Sequence, residues 1–196
     1  MILASASPRR RDLLAAAGLT FEVDPSDVPE DVLEGETPAR YVRRVCLDKG
    51  RAVAKRRRAA GDRRAVLAAD TVVVVDATIL GKAADRQEAR AMLQSLSGRT
   101  HQVITGFCLL FGDHGLVRQE VSTDVCFRSL SEQDLSAYLD SRDWEDKAGA
   151  YAIQGGAAHM VRSLRGSYTN VVGLPVAEVV EALRTMDSES GSTDYE

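Results

Sequence analysis

Val66-Leu67-Ala68-Ala69-Asp70-Thr71-Val72-Val73-Val74-Val75 carries apolar residues at odd and even positions alike, and its second half is β-branched. That pattern marks a strand covered on both faces. Asp76-Ala77 is a tight turn, and Thr78-Ile79-Leu80 is the short strand that returns from it. Two long strands follow, near 102–111 and 116–127, joined by a turn at Gly112–Gly115. Hairpins of this length point to a sheet that is mixed and largely antiparallel.

Helical periods surround these strands. Ile2 to Ala4 is a short strand, and Ser7-Pro8 opens a helix that Gly18 stops, with Ser7 as N-cap and Pro8 at the first helical position. Phe21 to Val23 is a further short strand, followed by an acidic loop from Asp24 to Gly35. A longer helix runs from Thr37-Pro38 to about Ala60. Asp85 to Glu88 resembles a capping box for a helix with an apolar stripe of Ala89, Met92, Leu93 and Leu96. Ser131 caps another, and Pro175 starts the last. The segments 150–153, 159–164 and 171–173 read as extended. The predicted class is α/β, a mixed and largely antiparallel twisted sheet flanked by helices. Residues 1–185 form one predicted domain, and 186–196 an acidic tail expected to be disordered. Neither GxGxxG nor GxxxxGK[ST] occurs, so the dinucleotide and Walker fingerprints are absent.

Charge narrows the function classes. Among 196 residues, 25 Lys and Arg face 29 Asp and Glu, for a net charge of −4. Asp187, Glu189, Asp194 and Glu196 in the tail hold that whole excess, so the body is near neutral. A dedicated nucleic-acid binder would be basic overall, and no stable nucleic-acid partner is expected. No apolar run reaches membrane-spanning length, because Asp70 and Asp76 interrupt the longest one, and the N-terminus does not read as a signal peptide. Cys46, Cys108 and Cys126 are odd in number and lack metal-ligand spacing. They read as reduced, core-filling thiols of a cytoplasmic protein.

Four side chains stand where charge is costly or chosen. Asp70 breaks an apolar strand, with Ala68 and Val72 on its face, so it either binds a cation or sits at a strand end in water. Lys49 lies on the stripe of Tyr41, Val42, Val45 and Val53, four residues after Val45. It therefore needs a carboxylate or an anion beside it, or snorkels out at the stripe's edge. The chain uses Arg for nearly every cation and keeps Lys at only 49, 55, 82 and 147. A compact ammonium matters most where Lys survives such a bias, which adds Lys82 and Lys147 as candidates. Ser5-Ala6-Ser7-Pro8-Arg9-Arg10-Arg11, between a strand and a helix N-terminus, is either an anion site or an ordinary capped helix with solvated arginines. Gln154, before Gly155-Gly156, suits a base edge or a plain turn.

Taken in order, Leu3-Ala4-Ser5-Ala6-Ser7-Pro8-Arg9-Arg10, Ala69-Asp70-Thr71, Gly81-Lys82, Leu96-Ser97-Gly98-Arg99-Thr100-His101, Asp146-Lys147-Ala148-Gly149-Ala150-Tyr151, Ile153-Gln154-Gly155 and Val172-Gly173-Leu174-Pro175 resemble the Maf family of nucleoside-triphosphate pyrophosphatases. The resemblance spans residues 2 to about 184. It implies two lobes around a deep central cleft, a fold related to the inosine-triphosphate pyrophosphatases, and a homodimer. It also implies attack of water on the α-phosphorus of a nucleotide with Mg²⁺ or Mn²⁺, leaving monophosphate and pyrophosphate.

By the same resemblance, Asp70 is the general base and Glu30 joins it in holding the metal. Lys49 and Lys82 neutralise phosphate charge, while Ser7, Arg9, Arg10 and Lys147 bind substrate. Arg9, Thr71 and Gln154 match the subgroup acting on dTTP and UTP, where a second subgroup, acting on 7-methyl-GTP, has Trp, Gln and Glu. Pro29 before Glu30 and Ala83 after Lys82 depart from the family's usual residues. A different class of function is a nucleotide- or nucleic-acid-binding regulator of cell division. Its sequence support is the basic run Lys55–Arg58 with Arg63-Arg64.

Overall fold

The computed structural model describes residues 1–190. Its axis is strand β3 (Val66–Val75). Along one side, β3 pairs antiparallel with β5 (Thr100–Phe111), in register from Val66 opposite Leu110 to Val74 opposite Gln102. Its other side is divided. β1 (Ile2–Leu3) lies parallel against Val66 and Leu67, and β4 (Thr78–Leu80) lies antiparallel against Val73 to Val75. Between them, among the described residues, no strand pairs with 68–72 on that side. The fork opens at Asp70.

β2 (Glu22–Val23) extends the sheet parallel to β1. β6 (Gly115–Phe127) and β7 (Val161–Arg165) extend it beyond β5, both antiparallel, giving the order β2-β1-β3-β5-β6-β7 with β4 beside β3. The sheet is mixed and largely antiparallel, as the hairpin pattern predicts.

Alternation along β3 distributes its side chains to separate cores. Ala68, Val72 and Val74 face α2 (Pro38–Ala59), which buries Tyr41, Val42, Val45, Cys46 and Val53 against them. Leu67 and Ala69 face the opposite way, toward Leu14 of α1 (Pro8–Ala16) and Val179 and Ala182 of α6 (Val176–Ser190). Val73 and Val75 belong to the second lobe. There Leu93 and Leu96 of α3 (Arg86–Leu96) and Leu135, Tyr138 and Leu139 of α4 (Glu132–Ser141) pack with Phe127 and Trp144. One strand thus feeds both lobes. Truncating a fully buried ring such as Phe107 or Phe127 should cost about 3–5 kcal/mol.

Gly106 of β5 stands opposite Asp70 in the register. A Cβ there would lie 2.7 Å from the Val42 carbonyl oxygen of α2. Only glycine lets the helix cross the sheet this closely, directly over the fork.

Several expectations fail. Residues 150–153 are not a strand, and of 159–164 the last four, 161–164, are extended. Gly156–Met160 forms a 3-10 turn before β7. Val171 and Val172 lie in a short helix, α5 (Tyr168–Val172), despite their β-branched character. There Ser167 accepts the Asn170 amide, and the buried Asn170 side chain donates to the Val103 carbonyl and the Thr123 hydroxyl. Tertiary bonds override propensity at this point. At the C-terminus, α6 continues to Ser190, into the segment expected to be disordered, and 191–196 lie outside the described residues. Ser7 occupies the N-cap of α1 without a side-chain cap bond; its amide instead donates to Ser5 Oγ at 3.2 Å.

Candidate active site

A cleft of about 990 Å³ opens at the fork, between the two lobes. Ser7, Arg9, Arg10, Glu30, Lys49, Asp70, Thr71, Lys82, Lys147 and Gln154 all line it. Residues up to 147 positions apart in sequence meet here because the fork brings the β1–α1 turn, the centre of β3, the end of β4 and the loop after α4 to one place.

On the floor, Lys49 Nζ lies 2.8 Å from Asp70 Oδ1 and 2.8 Å from Glu30 Oε1. Lys49 and Asp70 are buried, while the Glu30 side chain is 47% exposed at the mouth. The helical stripe turns Lys49 inward and strand alternation turns Asp70 to meet it, so each buried charge has a partner. Tyr41, two turns before Lys49, donates its hydroxyl to the Glu30 carbonyl at 2.8 Å and so fixes the acidic loop. Arg44 supports the same loop through Glu36 at 2.7 Å and the Asp31 carbonyl at 2.8 Å. That pairing pulls the Glu36 carboxyl down to about 2.

Arg10 is the second buried cation, and it has no carboxylate in contact. Its Nε donates to the Gly173 carbonyl at 2.8 Å, one Nη to Ser5 Oγ at 3.1 Å and the other to Thr71 Oγ1 at 3.1 Å. Burial lowers its pKa, and the nearby charges of Asp70 and Glu30 oppose that shift. Thr71 lines the cleft, but its hydroxyl is engaged. Besides Arg10 it lies 2.9 Å from Thr105 Oγ1 and 3.3 Å from the Gly173 carbonyl. It therefore orients Arg10.

The opposite wall is less enclosed. Lys82 and Gln154 are exposed, and Arg9 is half-buried. Among the described residues, none of these three side chains makes an ion pair or hydrogen bond. Lys147 Nζ donates to the Glu145 carbonyl at 2.7 Å, and burial, followed by the charge of Arg9, lowers its pKa. Of the ionisable side chains lining the cleft, five are cationic and three are carboxylates. Within a chain of net charge −4, that local excess suits a polyanion.

Asp70 and Glu30 converge on the Lys49 ammonium, each through one hard carboxylate oxygen. Carboxylate oxygens are the donors that suit a hard divalent cation, one that keeps several waters and shares its remaining positions with phosphates. Among the described residues, no group of three or more His, Cys, Asp and Glu could hold an ion by itself. Sequence reasoning did not find Tyr41, Thr105 or Asn170 as supports of the site. Their partners lie 11 to 67 positions away, so no local pattern in the sequence marks them.

A family profile described as "Maf: Maf-like protein" matches residues 1–186. Among curated relatives, a dTTP/UTP pyrophosphatase of Geobacter metallireducens is 51% identical over 187 residues, covering 95% of both chains. Proteins of the same name from Geobacter sp. strain M21 and Geobacter sulfurreducens are 48% and 50% identical, over 95% and 94% of this chain and 95% of each relative.

Proposed function

The chain belongs to the Maf family, and from that premise we propose that it hydrolyses nucleoside triphosphates, dTTP and UTP foremost, to monophosphate and pyrophosphate. The observation that carries this reading is the buried Lys49 ammonium held between Asp70 and Glu30 on the floor of a cation-rich cleft. An apolar protein interior gains nothing from such a cluster; a triphosphate with its cation would use all three groups.

Asp70 has one carboxylate oxygen on Lys49. In this reading its other oxygen takes the proton of the water that attacks the α-phosphorus. Lys49, Lys82 and the unused N–H groups of Arg10 offset the charge that develops on the phosphoryl oxygens and on the leaving pyrophosphate. Ser7 and the free amides at the start of α1 add donors for a phosphate. Asp70 and Glu30 would hold a divalent cation, which supplies charge neutralisation and orientation of the triphosphate. Arg9, Lys147 and Gln154 face the nucleoside end. A Gln amide offers both a donor and an acceptor, which matches the adjacent N3–H and O4 of uracil or thymine.

The resemblance extends the same reading to a homodimer and, with free cysteines at 46, 108 and 126, to the cytoplasm. Among the described residues, no helix is long and apolar enough to cross a membrane. The nucleic-acid alternative finds little support in the basic run. Arg56 pairs with Asp24, Arg57 with Glu22 at 2.6 Å, Arg63 with Asp113 at 3.0 Å and Arg64 with Asp62 at 2.7 Å. Most of its charge is answered within the chain.

The test is a panel of nucleoside triphosphates assayed for released pyrophosphate with Mg²⁺, with Mn²⁺ and with chelator. Metal-dependent release, with dTTP and UTP ahead of GTP and 7-methyl-GTP, is expected. A folded protein that binds nucleotides and releases no pyrophosphate would favour the regulator instead.

A further inference from the structure

His101 takes no part in the chemistry above, although it is 2% exposed and close to the cleft wall. Its Nε2 lies 2.9 Å from the Tyr151 hydroxyl, while Nδ1 is buried with no partner among the described residues. The ring stands edge-on to Phe127 and to Tyr151, at centroid distances of 4.9 and 5.4 Å. Burial lowers the imidazole to about 4, so the ring is neutral near pH 7. A phenyl ring would fill this space without a stranded nitrogen. What histidine adds is one hydrogen bond, to Tyr151.

Tyr151 closes a loop with an unusual backbone. Asp146, Gly149 and Ala150 have φ of 57°, 66° and 58°, a left-handed region that glycine tolerates and that Asp and Ala enter at a cost. Lys147 stands inside this stretch. The loop is fastened to the end of β4, because the Gly149 amide donates to the carbonyls of Leu80 at 3.1 Å and Gly81 at 2.9 Å. Lys82 and Ala148 form an isolated β-bridge beside it. A Cβ on Gly149 would lie 2.9 Å from Val73, so the loop rests flush on β3. Backbone in such conformations persists only where its surroundings over-determine it. On the β4 side those surroundings are the Leu80 and Gly81 carbonyls; at its far end the loop runs directly into Tyr151, whose buried ring and hydroxyl are held by Phe127 and His101.

We propose that His101, through its hydrogen bond to Tyr151, is a positioning residue that clamps the Asp146–Ala150 loop against Gly81-Lys82, so that Lys147 and Lys82 face the cleft together. The lysines' task rests on the pyrophosphatase reading; the clamp itself does not. The clamp also gives a purpose to the Leu96–His101 segment. α3 ends at Leu96, Gly98 turns the chain at φ 69°, Arg99 pairs with Asp76 at 2.6 Å, and β5 delivers His101 to Tyr151.

The test uses Tyr151→Phe, His101→Phe and His101→Gln, followed by amide hydrogen exchange of residues 146–151 and by steady-state kinetics. Tyr151→Phe and His101→Phe should raise exchange at Gly149 by ~10-fold or more while leaving β3 and α2 unchanged. KM for dTTP should rise by about 5- to 10-fold with a smaller change in kcat, and His101→Gln, which keeps an amide for Tyr151, should recover most of both. In a Lys147→Ala background, Tyr151→Phe should add less than its full loss, since part of its effect passes through that lysine and the rest through Lys82. Unchanged loop exchange in folded Tyr151→Phe overturns the clamp. So does loosening spread evenly over the whole protein, or full additivity with Lys147→Ala. If His101→Phe does not fold, Tyr151→Phe, which removes a single oxygen, decides alone. If the wild type releases no pyrophosphate, the pyrophosphatase reading fails and the exchange result still decides the clamp.

Discussion

On the floor of the cleft, Lys49, Asp70 and Arg10 are 7%, 6% and 9% exposed and project from the middle of α2, the middle of β3 and the first turn of α1. On the facing wall, Lys82, Lys147 and Gln154 project from loops, and two of the three are exposed. Lys49 and Asp70 hold one another, and Arg10 is held by the Gly173 carbonyl and the hydroxyls of Ser5 and Thr71, at 2.8 to 3.1 Å. On the wall, Lys147 donates to the Glu145 carbonyl, and the Lys82 and Gln154 side chains have no hydrogen-bond or ion-pair partner among the described residues. A floor built on regular elements keeps reacting groups in place to a fraction of an ångström, whereas loops can vary without disturbing the core. In the function proposed above, bond breaking falls to the floor, Lys82 meets the phosphates from the wall, and Lys147 and Gln154 take part in the choice of nucleotide.

The largest effect should follow from a change on the floor. Asp70→Asn keeps the shape and removes the proton acceptor, so turnover should fall by ~100-fold or more. Thermal unfolding should show a folded protein, because a neutral amide is easier to bury than a carboxylate. Near-normal pyrophosphate release by folded Asp70→Asn would break the assignment of chemistry to the floor.

Next comes a change beneath the wall. The His101 imidazole lies at about 4 in the folded protein, against about 6.5 for an unfolded histidine. Its folded-state pKa is depressed, so the unfolded chain binds the proton more readily. Stability should therefore be highest above pH 6.5 and decline as pH falls toward 4. About 2 kcal/mol should be lost by pH 5, a factor of roughly 30 in the folding equilibrium. Denaturant titrations at pH 7 and pH 5 measure this, and His101→Phe should flatten the slope between them. An unchanged slope would show that acid sensitivity arises elsewhere.

The smallest effect concerns selection. Gln154→Glu should leave kcat for dTTP within a few-fold and reduce the preference for dTTP over GTP by ~10-fold, since one mismatched polar contact is worth about 1–3 kcal/mol. A ranking of nucleotides that does not move would take base selection away from this wall.

The two sides also differed in how far the sequence revealed them. Asp70 and Lys49 were legible because each interrupts an apolar pattern whose period fixes its direction, and the structure places them 2.8 Å apart. Pro8, Pro38 and Ser131 marked three helix starts that the structure contains. Gln154 and Lys147 had no such contrast, since a polar residue in a polar loop interrupts nothing; the scarcity of lysine and the Gly155-Gly156 pair only drew attention to them, and the family resemblance gave them roles. The Arg10–Thr71–Thr105 chain and the His101–Tyr151 bond were invisible for another reason. Both join residues 34 to 61 positions apart, and no local period encodes such a meeting. The short helix at Tyr168–Val172 was misread for a related one, because its stability comes from the distant partners of Asn170, on β5 and β6.

The central claim is that the floor directs water to the α-phosphorus. Hydrolysis of dTTP in H₂¹⁸O with the divalent cation, followed by mass analysis of both products, tests it most directly. One labelled oxygen in the nucleoside monophosphate and none in the pyrophosphate is the predicted result; label in the pyrophosphate, or release of orthophosphate in its place, would contradict it.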